Sequence, residues 1–325
     1  MKQPLTIQVV TWNSAAVIGD FCRTLRSQPY QDYLLLVIDN ASSDETVQIV
    51  KQCFPRAALI QNDHNLGFSK AHNQGIAATE NELVAVVNPD IRFTSSSLAP
   101  LLKRMSDDLR LGSIGPKLLK SGGSSGIIDS AGIIAKRTRQ FINRGENETD
   151  TGQYDRPEDV FGISGAFVLL RRRALDAVRI GSEYFDEDFF AYKEDIDLAW
   201  RLRLAGWRNG YEPNAVAFHE RTARHQRTRT ILLRGRQKPQ HIRALSYRNH
   251  LLLLAKNDRA RDWFLPLPQV AIYEIGKFIY TLFREPGTTR GALEALRLLP
   301  RILKKRAVVK QQTVIPPSIR SQWFD

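Results

Sequence analysis

Cysteine is almost missing from this chain. Its 325 residues include two, Cys22 and Cys53, with no metal-like spacing. That offers no zinc ligand set and fits a reduced, cytoplasmic setting. Long apolar runs are missing too: no stretch of 18 apolar residues is free of charge, so a transmembrane helix is not expected. The N-terminus enters a strand-like run at once, without the apolar core and cleavage site of a signal peptide. No G-x-G-x-x-G follows the first apolar run, and G-x-x-x-x-G-K-[ST] occurs nowhere. Dinucleotide-dependent dehydrogenases and P-loop NTPases are therefore disfavoured.

What is present is ample core material, with 42% hydrophobic residues, in a length that suits two domains or one large α/β domain with an appendage. The net charge of +13 is unevenly spread. Residues 1–220 hold 25 Lys and Arg against 28 Asp and Glu, whereas residues 221–325 hold 22 against 6. A segment this basic attracts polyanions: nucleic acid, an anionic membrane surface or a phosphorylated substrate. The basic residues show no zinc-finger, RRM or helix-turn-helix pattern, so a nucleic-acid partner is the weaker alternative. The composition break near residue 220 marks the expected domain boundary.

Residues 5–11 alternate and are β-rich; a helix follows to about residue 25. Residues 34–38 and 83–87 are continuously apolar, the pattern of parallel strands buried on both faces. Between them come a helix over 45–53, a short strand over 57–61 and a helix over 69–78 capped by Ser69. This alternation predicts a doubly wound parallel sheet over residues 1–110. Ligands in such sheets bind beyond the carboxyl ends of the strands. Polar residues follow every strand there: Asn13, then Asp39 and Asp44, then Asn65 and Gly67, then Asp90. From 112 to 159 the pattern weakens into a flexible turn at 121–126 and a long polar loop over 144–159. A strand over 162–170, a helix over 171–178 and a strand over 215–219 ending in His219 complete this part.

One stretch concentrates acid. Glu194, Asp195 and Asp197 occupy four positions at the start of a helix expected to end at Gly206. Asp197 faces Arg201 at i+4 and can pair with it. Glu194 and Asp195 have only Leu198 and Ala199 at that spacing. Phe185, Phe189, Phe190 and Tyr192 precede them, and apolar walls raise a carboxyl pKa toward that of a general base. Beyond 220, residues 248–256 read as helical, 270–284 as an amphipathic helix and 302–310 as a basic amphipathic stretch. In 270–284, Ile272, Ile275, Ile279 and Phe283 share one side, and Glu274, Lys277 and Thr281 another. Two readings stand: a helical subdomain packed on the catalytic part, or interfacial attachment to an anionic membrane.

Taken in order, these pieces resemble family 2 glycosyltransferases, the inverting GT-A enzymes, and especially their rhamnosyltransferase-like branch. The matching segments are Val10-Thr11-Trp12-Asn13, the run from Val37 through Asp39 to Asp44, Asn65-Leu66-Gly67-Phe68 through Gly75, Asn88-Pro89-Asp90, Gly165-Ala166 through Arg172, Phe185-Asp186-Glu187 through Leu198, and His219. They span residues 5–220. The segment at Arg248-Asn249 matches more loosely. The resemblance implies an α/β fold: a GT-A, Rossmann-like mixed sheet flanked by helices, with a basic helical C-terminal segment. Residues 1–220 would form the catalytic domain, 1–110 its nucleotide-sugar half and 111–220 its acceptor half. Residues 221–325 would be the membrane-associated region.

The resemblance also implies roles. The partners would be a nucleotide-diphosphate sugar donor and a glycan or lipid-linked acceptor. Asp39 would accept from the imide N–H of a uracil or thymine base, with Thr11 and Asn13 in the same pocket. Asp44 would cap the next helix. Asn65, Gly67, Asn88 and Gly165 would line the donor site. Asn88-Pro89-Asp90 stands where the family has a DxD motif and keeps only its last acid. Asp90 would thus hold a divalent cation, Mg²⁺ or Mn²⁺, with His219 as a further ligand. Asp195 would be the general base, with Glu194 as runner-up or supporting partner. The expected reaction transfers rhamnose from dTDP-rhamnose, with inversion, to a hydroxyl of a lipid-linked or cell-surface glycan at the inner face of the plasma membrane. A UDP- or GDP-sugar is the alternative donor.

Overall fold

The computed structural model describes residues 5–121, 126–220, 239–258 and 267–325. The apolar runs of the first third form its parallel strands: β1 (Leu5–Thr11), β2 (Tyr33–Asp39), β3 (Ala58–Gln61) and β4 (Leu83–Val87), in the order β3-β2-β1-β4. Helices α1 (Ala15–Arg26), α2 (Thr46–Cys53) and α3 (Gly67–Ala77) return the chain. Alternate residues of one strand feed different clusters: Val37 joins the core under α1 and Ile38 the one with Ala71 of α3, so neither face is polar.

The second half turns the sheet into a mixed one. After β5 (Ile91–Phe93) and α4 (Ala99–Asp107) comes β6 (Leu111–Lys120), a ten-residue strand inside the region where the sequence pattern weakens. Two glycines and a proline hide it from a strand count. The structure uses Gly115 for close packing: a Cβ there would sit 2.2 Å from Ile163 Cγ2. Short strands β7 (Ile128–Ser130), β8 (Ile133–Ala135), β9 (Phe141–Asn143) and β10 (Glu158–Asp159) follow. β11 (Phe167–Arg171) runs antiparallel between β4 and β6, and β12 (Arg208–His219) runs parallel to β6. The strand expected from residue 162 thus begins at 167, and the one expected from 215 begins at 208. The flexible turn expected at 121–126 and the first residues past the boundary at 220 lie largely outside the described residues.

A short helix α5 (Arg172–Ala177) follows β11, and then the acidic stretch opens α6 (Glu194–Leu204). This helix is apolar on two sides. Leu198 and Leu202 pack into the cluster beneath the sheet. Ile196, Trp200 and Leu204 pack with Leu252, Leu253, Ala295 and Ile302. Those partners lie on α7 (Gln240–Asn257) and α9 (Arg290–Gln312), which with α8 (Leu267–Arg284) form the C-terminal helices. Each buried leucine or isoleucine contributes about 1.5–3 kcal/mol, so α6 is held from both sides. Among the described residues no helix is long and apolar enough to cross a membrane.

α3 starts two residues earlier than its sequence suggests. Ser69 lies inside it, and the cap comes from far along the chain: the Phe190 carbonyl accepts from the Phe68 N–H at 2.7 Å and the Ser69 N–H at 3.2 Å. Gly67 makes this approach feasible. It sits at φ +79°, and a Cβ there would lie 2.7 Å from the Phe190 oxygen.

Candidate active site

The carboxyl edge of the sheet gathers most of the expected residues. Thr11 and Asp39 are register partners at the ends of β1 and β2, and the Thr11 hydroxyl donates to Asp39 Oδ1 at 2.7 Å. Ser42 donates twice more, from its hydroxyl to Oδ1 and from its N–H to Oδ2 at 2.9 Å. Asp39 is thereby a buried, oriented acceptor with lone-pair capacity left on Oδ2. Asn13, at φ +49°, accepts from the Ser43 N–H and stands exposed beside it. Asp44 caps twice: Oδ1 accepts from the Thr46 N–H at the start of α2, and Oδ2 from the Ala15 N–H at the start of α1.

Two residues that the sequence left unmarked connect these parts. Asn40, buried after β2, donates toward Asn65 Oδ1 and the Gly67 carbonyl and accepts from Asn62. It fixes the Asn65–Gly67 turn to the strand that carries Asp39. Asp129, buried on β7, binds His219 Nδ1 at 2.8 Å. Asn40 has no role of its own within the matched run, and a lone acid in a three-residue strand carries no spacing signal.

Strand pairing places the candidate metal residues together. β5 is antiparallel to β12 with Ile91 opposite His219, which sets Asp90 beside the imidazole. His219 Nε2 lies 3.3 Å from Asp90 Oδ1. Burial by itself would lower the His219 pKa, but its bonds to Asp129 and Asp90 prevail and raise it to about 9. As arranged, His219 is a cation between two carboxylates. Among the described residues no group of three or more His, Cys, Asp or Glu is arranged to hold a metal. One observation fits a cation nonetheless: among the described residues, buried Asp90 Oδ1 has only the ion-pair contact with His219 Nε2 and no hydrogen bond of good geometry. A hard divalent ion with further oxygens from a diphosphate and water suits that acceptor.

The acidic stretch approaches from the other side. β11 pairs with β4, so Gly165 and Ala166 arrive next to Asn88, whose N–H donates to the Ala166 carbonyl at 2.9 Å. Gly165 in turn donates its N–H to Asp195 Oδ2 at 3.0 Å, and the Ile196 N–H donates to Asp195 Oδ1 at 2.8 Å. Ile163, Val168, Phe185 and Leu198 wall the space behind Asp195. Burial pushes its pKa up against the pull of those two amides. Glu194 is pushed well above the ordinary range, first by burial and then by the charge of Asp195. The two differ in access: Asp195 is partly open to solvent, whereas Glu194 is 6% exposed.

Asp197 takes no part in this edge. Arg201 holds it at 2.9 Å, as the i+4 spacing predicts, and Lys256 Nζ at 2.8 Å from α7. Lys256 also pairs with Asp186, which Lys305 of α9 reaches too. The turn before the base is backbone-strained: Phe190, Tyr192 and Lys193 have φ of 60°, 71° and 69°. Asn249 of α7 holds it, its side-chain amide lying 2.8, 2.8 and 2.7 Å from the carbonyls of Phe189, Ala191 and Tyr192.

Comparison with known proteins matches residues 6–179 to the model of glycosyl transferase family 2 and residues 138–257 to that of glycosyl transferase family group 2. A curated relative is the N-acetylglucosaminyl-diphospho-decaprenol L-rhamnosyltransferase of Mycobacterium tuberculosis. It is 29% identical over 293 residues, which cover 81% of this chain and 87% of the relative. A mannosyltransferase from Pyrobaculum calidifontis in complex with GDP-Man and Mn²⁺ superposes with a TM-score of 0.55 at 16% identity, covering 99% of this chain and 88% of that one. S. aureus TarS 1-349 in complex with UDP-GlcNAc gives 0.57 at 15% identity, covering 96% and 89%. The architecture is the GT-A fold of these neighbours, and a helical C-terminal segment is present.

Proposed function

The chain belongs to glycosyl transferase family 2, and on that premise we propose that it transfers a sugar, with inversion, from a nucleotide diphosphate to a hydroxyl of a lipid-linked glycan. The observation that carries this reading is the setting of Asp195. It alone of the three clustered acids is partly open to solvent, has both oxygens fixed by backbone N–H groups and, among the described residues, has no lysine or arginine bonded to it.

Asp195 takes the proton of the acceptor hydroxyl. The acceptor oxygen forms its bond to the anomeric carbon as the bond from that carbon to the diphosphate breaks on the opposite face. One displacement inverts the centre, and no sugar–enzyme bond forms. Glu194, its pKa raised by burial and by Asp195, favours its neutral form beside the base. Asp39 orients the donor base by accepting from its imide N–H, with Thr11 and Ser42 holding the carboxylate and Asn13 at the rim. Asn65, Gly67, Asn88 and Gly165 bring backbone close to the donor. Asp90 would hold Mg²⁺ or Mn²⁺, with His219 Nε2 as a further ligand once it gives up its proton, and the ion would offset the charge on the leaving diphosphate.

The donor is proposed to be dTDP-rhamnose and the acceptor a polyprenyl-diphosphate-linked GlcNAc, after the mycobacterial relative, an N-acetylglucosaminyl-diphospho-decaprenol L-rhamnosyltransferase. The test is a thermal-shift screen of dTDP-, UDP- and GDP-sugars with Mn²⁺, followed by NMR of the product made from the binder. An upward shift with dTDP-rhamnose and an inverted anomeric centre are expected. A product of retained configuration would overturn the single-displacement mechanism, and a shift with UDP- or GDP-sugars alone would overturn the donor.

A further inference from the structure

α8 is an amphipathic helix packed the wrong way round for a protein in water. Its polar side faces inward: Glu274 meets His250 Nε2 of α7 at 2.6 Å, Lys277 lies over the Tyr247 ring at 4.9 Å, and Thr281 is buried. Its apolar side faces out. Ile272, Ile275, Phe278, Ile279, Leu282 and Phe283 are all exposed, Ile272 by 73% and Phe283 by 77%. At 100° per residue they fall within about 140° of arc, a continuous stripe of the width that a helix normally buries. The pattern continues on α9, where Leu293 and Leu296 are exposed at 59% and 64%. Scattered apolar residues on a surface need no explanation; eight large ones on α8 and the first half of α9 do.

Charge identifies the occupant. Arg284 ends α8, and Arg290, Arg297 and Lys304 follow on α9, all exposed. Residues 267–312 hold nine Lys and Arg against three Asp and Glu. A second copy would bring the same positive rim against itself, whereas a bilayer of anionic lipid offers both hydrocarbon and compensating phosphate. With Glu274, Lys277 and Arg284 in its 18 residues, the helix does not suit crossing a membrane.

We propose that α8, with the first half of α9, is an interfacial docking surface for anionic phospholipid: the apolar stripe enters the headgroup boundary and the flanking cations pair with lipid phosphates. Its purpose, keeping the site within reach of a lipid-carried acceptor, rests on the function proposed above. Its affinity for lipid does not.

The experiment is co-sedimentation of the full chain with phosphatidylglycerol or phosphatidylcholine vesicles at low and high salt, without donor or acceptor. Binding to the anionic vesicles that weakens with salt is expected. Ile275→Asp/Ile279→Asp should weaken it roughly a hundredfold, as loss of two buried apolar side chains predicts, and Arg290→Glu/Arg297→Glu should remove the preference for anionic lipid. Both variants should keep the thermal midpoint and the transfer rate to a detergent-soluble acceptor, since neither touches the site. Three results would each overturn the surface: no binding to anionic vesicles, binding that neither variant changes, or a solution dimer that Ile275→Asp/Ile279→Asp dissociates. Absence of transfer in every form of the protein, with vesicle binding intact, would count against the proposed function and not against this surface.

Discussion

The Gly165 N–H donates to Asp195 Oδ2 at 3.0 Å, across 30 residues of chain. The bond fixes the acid on α6 to the entry of β11, whose pairing with β4 sets it against the carboxyl edge of the sheet. It can outlast loss of the charge, because an amide oxygen at the same position also accepts. Asp195→Asn should therefore fold and bind nucleotide as the wild type does. Transfer should fall about 10²–10⁴-fold, the usual contribution of a positioned general base. Single-turnover transfer measured beside a nucleotide thermal shift checks both halves, and near-normal turnover would remove Asp195 from the chemistry.

Glu194 supplies a pH signature. Burial and the neighbouring Asp195 raise its folded pKa. An acid so raised contributes stability that is fully present below its unfolded pKa of about 4.3 and lost as pH rises through the folded value. As pH rises past that unfolded value, the wild type should thus lose stability at Glu194 that Glu194→Gln does not lose. The variant should melt higher, by a margin that grows with pH. Activity separates the two acids. Asp195 is raised less strongly and must be deprotonated to act, so kcat/KM should fall on the acid side as pH drops through its pKa. That limb should survive in Glu194→Gln. A variant with no acid limb would transfer the base role to Glu194.

The parts of the site that follow buried apolar strands were readable beforehand, because a run such as 34–38 announces both the strand and the loop after it. Asp39 and Asp90 are of this kind, whereas Asp195 is marked by the cluster of acids that opens α6. What stayed hidden depends on long-range contact. β6 carries its pattern under glycine and proline. Asp129 reaches His219 from a three-residue strand. The cap of α3 is a backbone carbonyl more than a hundred residues away. The basic C-terminal segment divided in a way charge counting could not foresee: Lys256 and Lys305 are buried partners of acids near the site, while Arg290 and Arg297 face out.

Lys256 gives that division a measurable consequence. It is fully buried between Asp186 and Asp197, and Lys305 also contacts Asp186. Burial would raise the Asp186 pKa, but the two ammonium groups hold it well below the usual carboxylate range. That interaction stabilises the fold above the unfolded pKa of about 3.9 and is lost as pH falls through the depressed value. Lys256→Met leaves two buried acids short of a cation and should cost about 3–5 kcal/mol in urea unfolding at pH 7. Lys256→Met/Asp186→Asn should recover part of the loss. A single variant as stable as the wild type would show that α7 is not tied to α6 through this pair.

The strained turn before the base predicts a kinetic effect separable from folding. Phe190, Tyr192 and Lys193 hold positive-φ conformations that cost about 1–3 kcal/mol per residue for side chains with a Cβ. Three carbonyls of this turn converge on the Asn249 amide, and the Phe190 carbonyl caps α3. Asn249 is too far along the chain to belong to the turn and is buried, so its role is to position it. In Asn249→Ala the turn can relax, which should swing the start of α6 and lower kcat about tenfold or more, as misplacement of a reacting group does. KM for the donor should change little, because Asp39, Thr11 and Ser42 lie at the ends of β1 and β2 and in the loop after β2, away from this turn. Asn249→Asp makes the sharper test: it replaces the donor with an acceptor facing three carbonyls and should be worse than alanine. Equal loss of kcat and donor affinity in the alanine variant would mean that the turn shapes the whole pocket rather than the base alone.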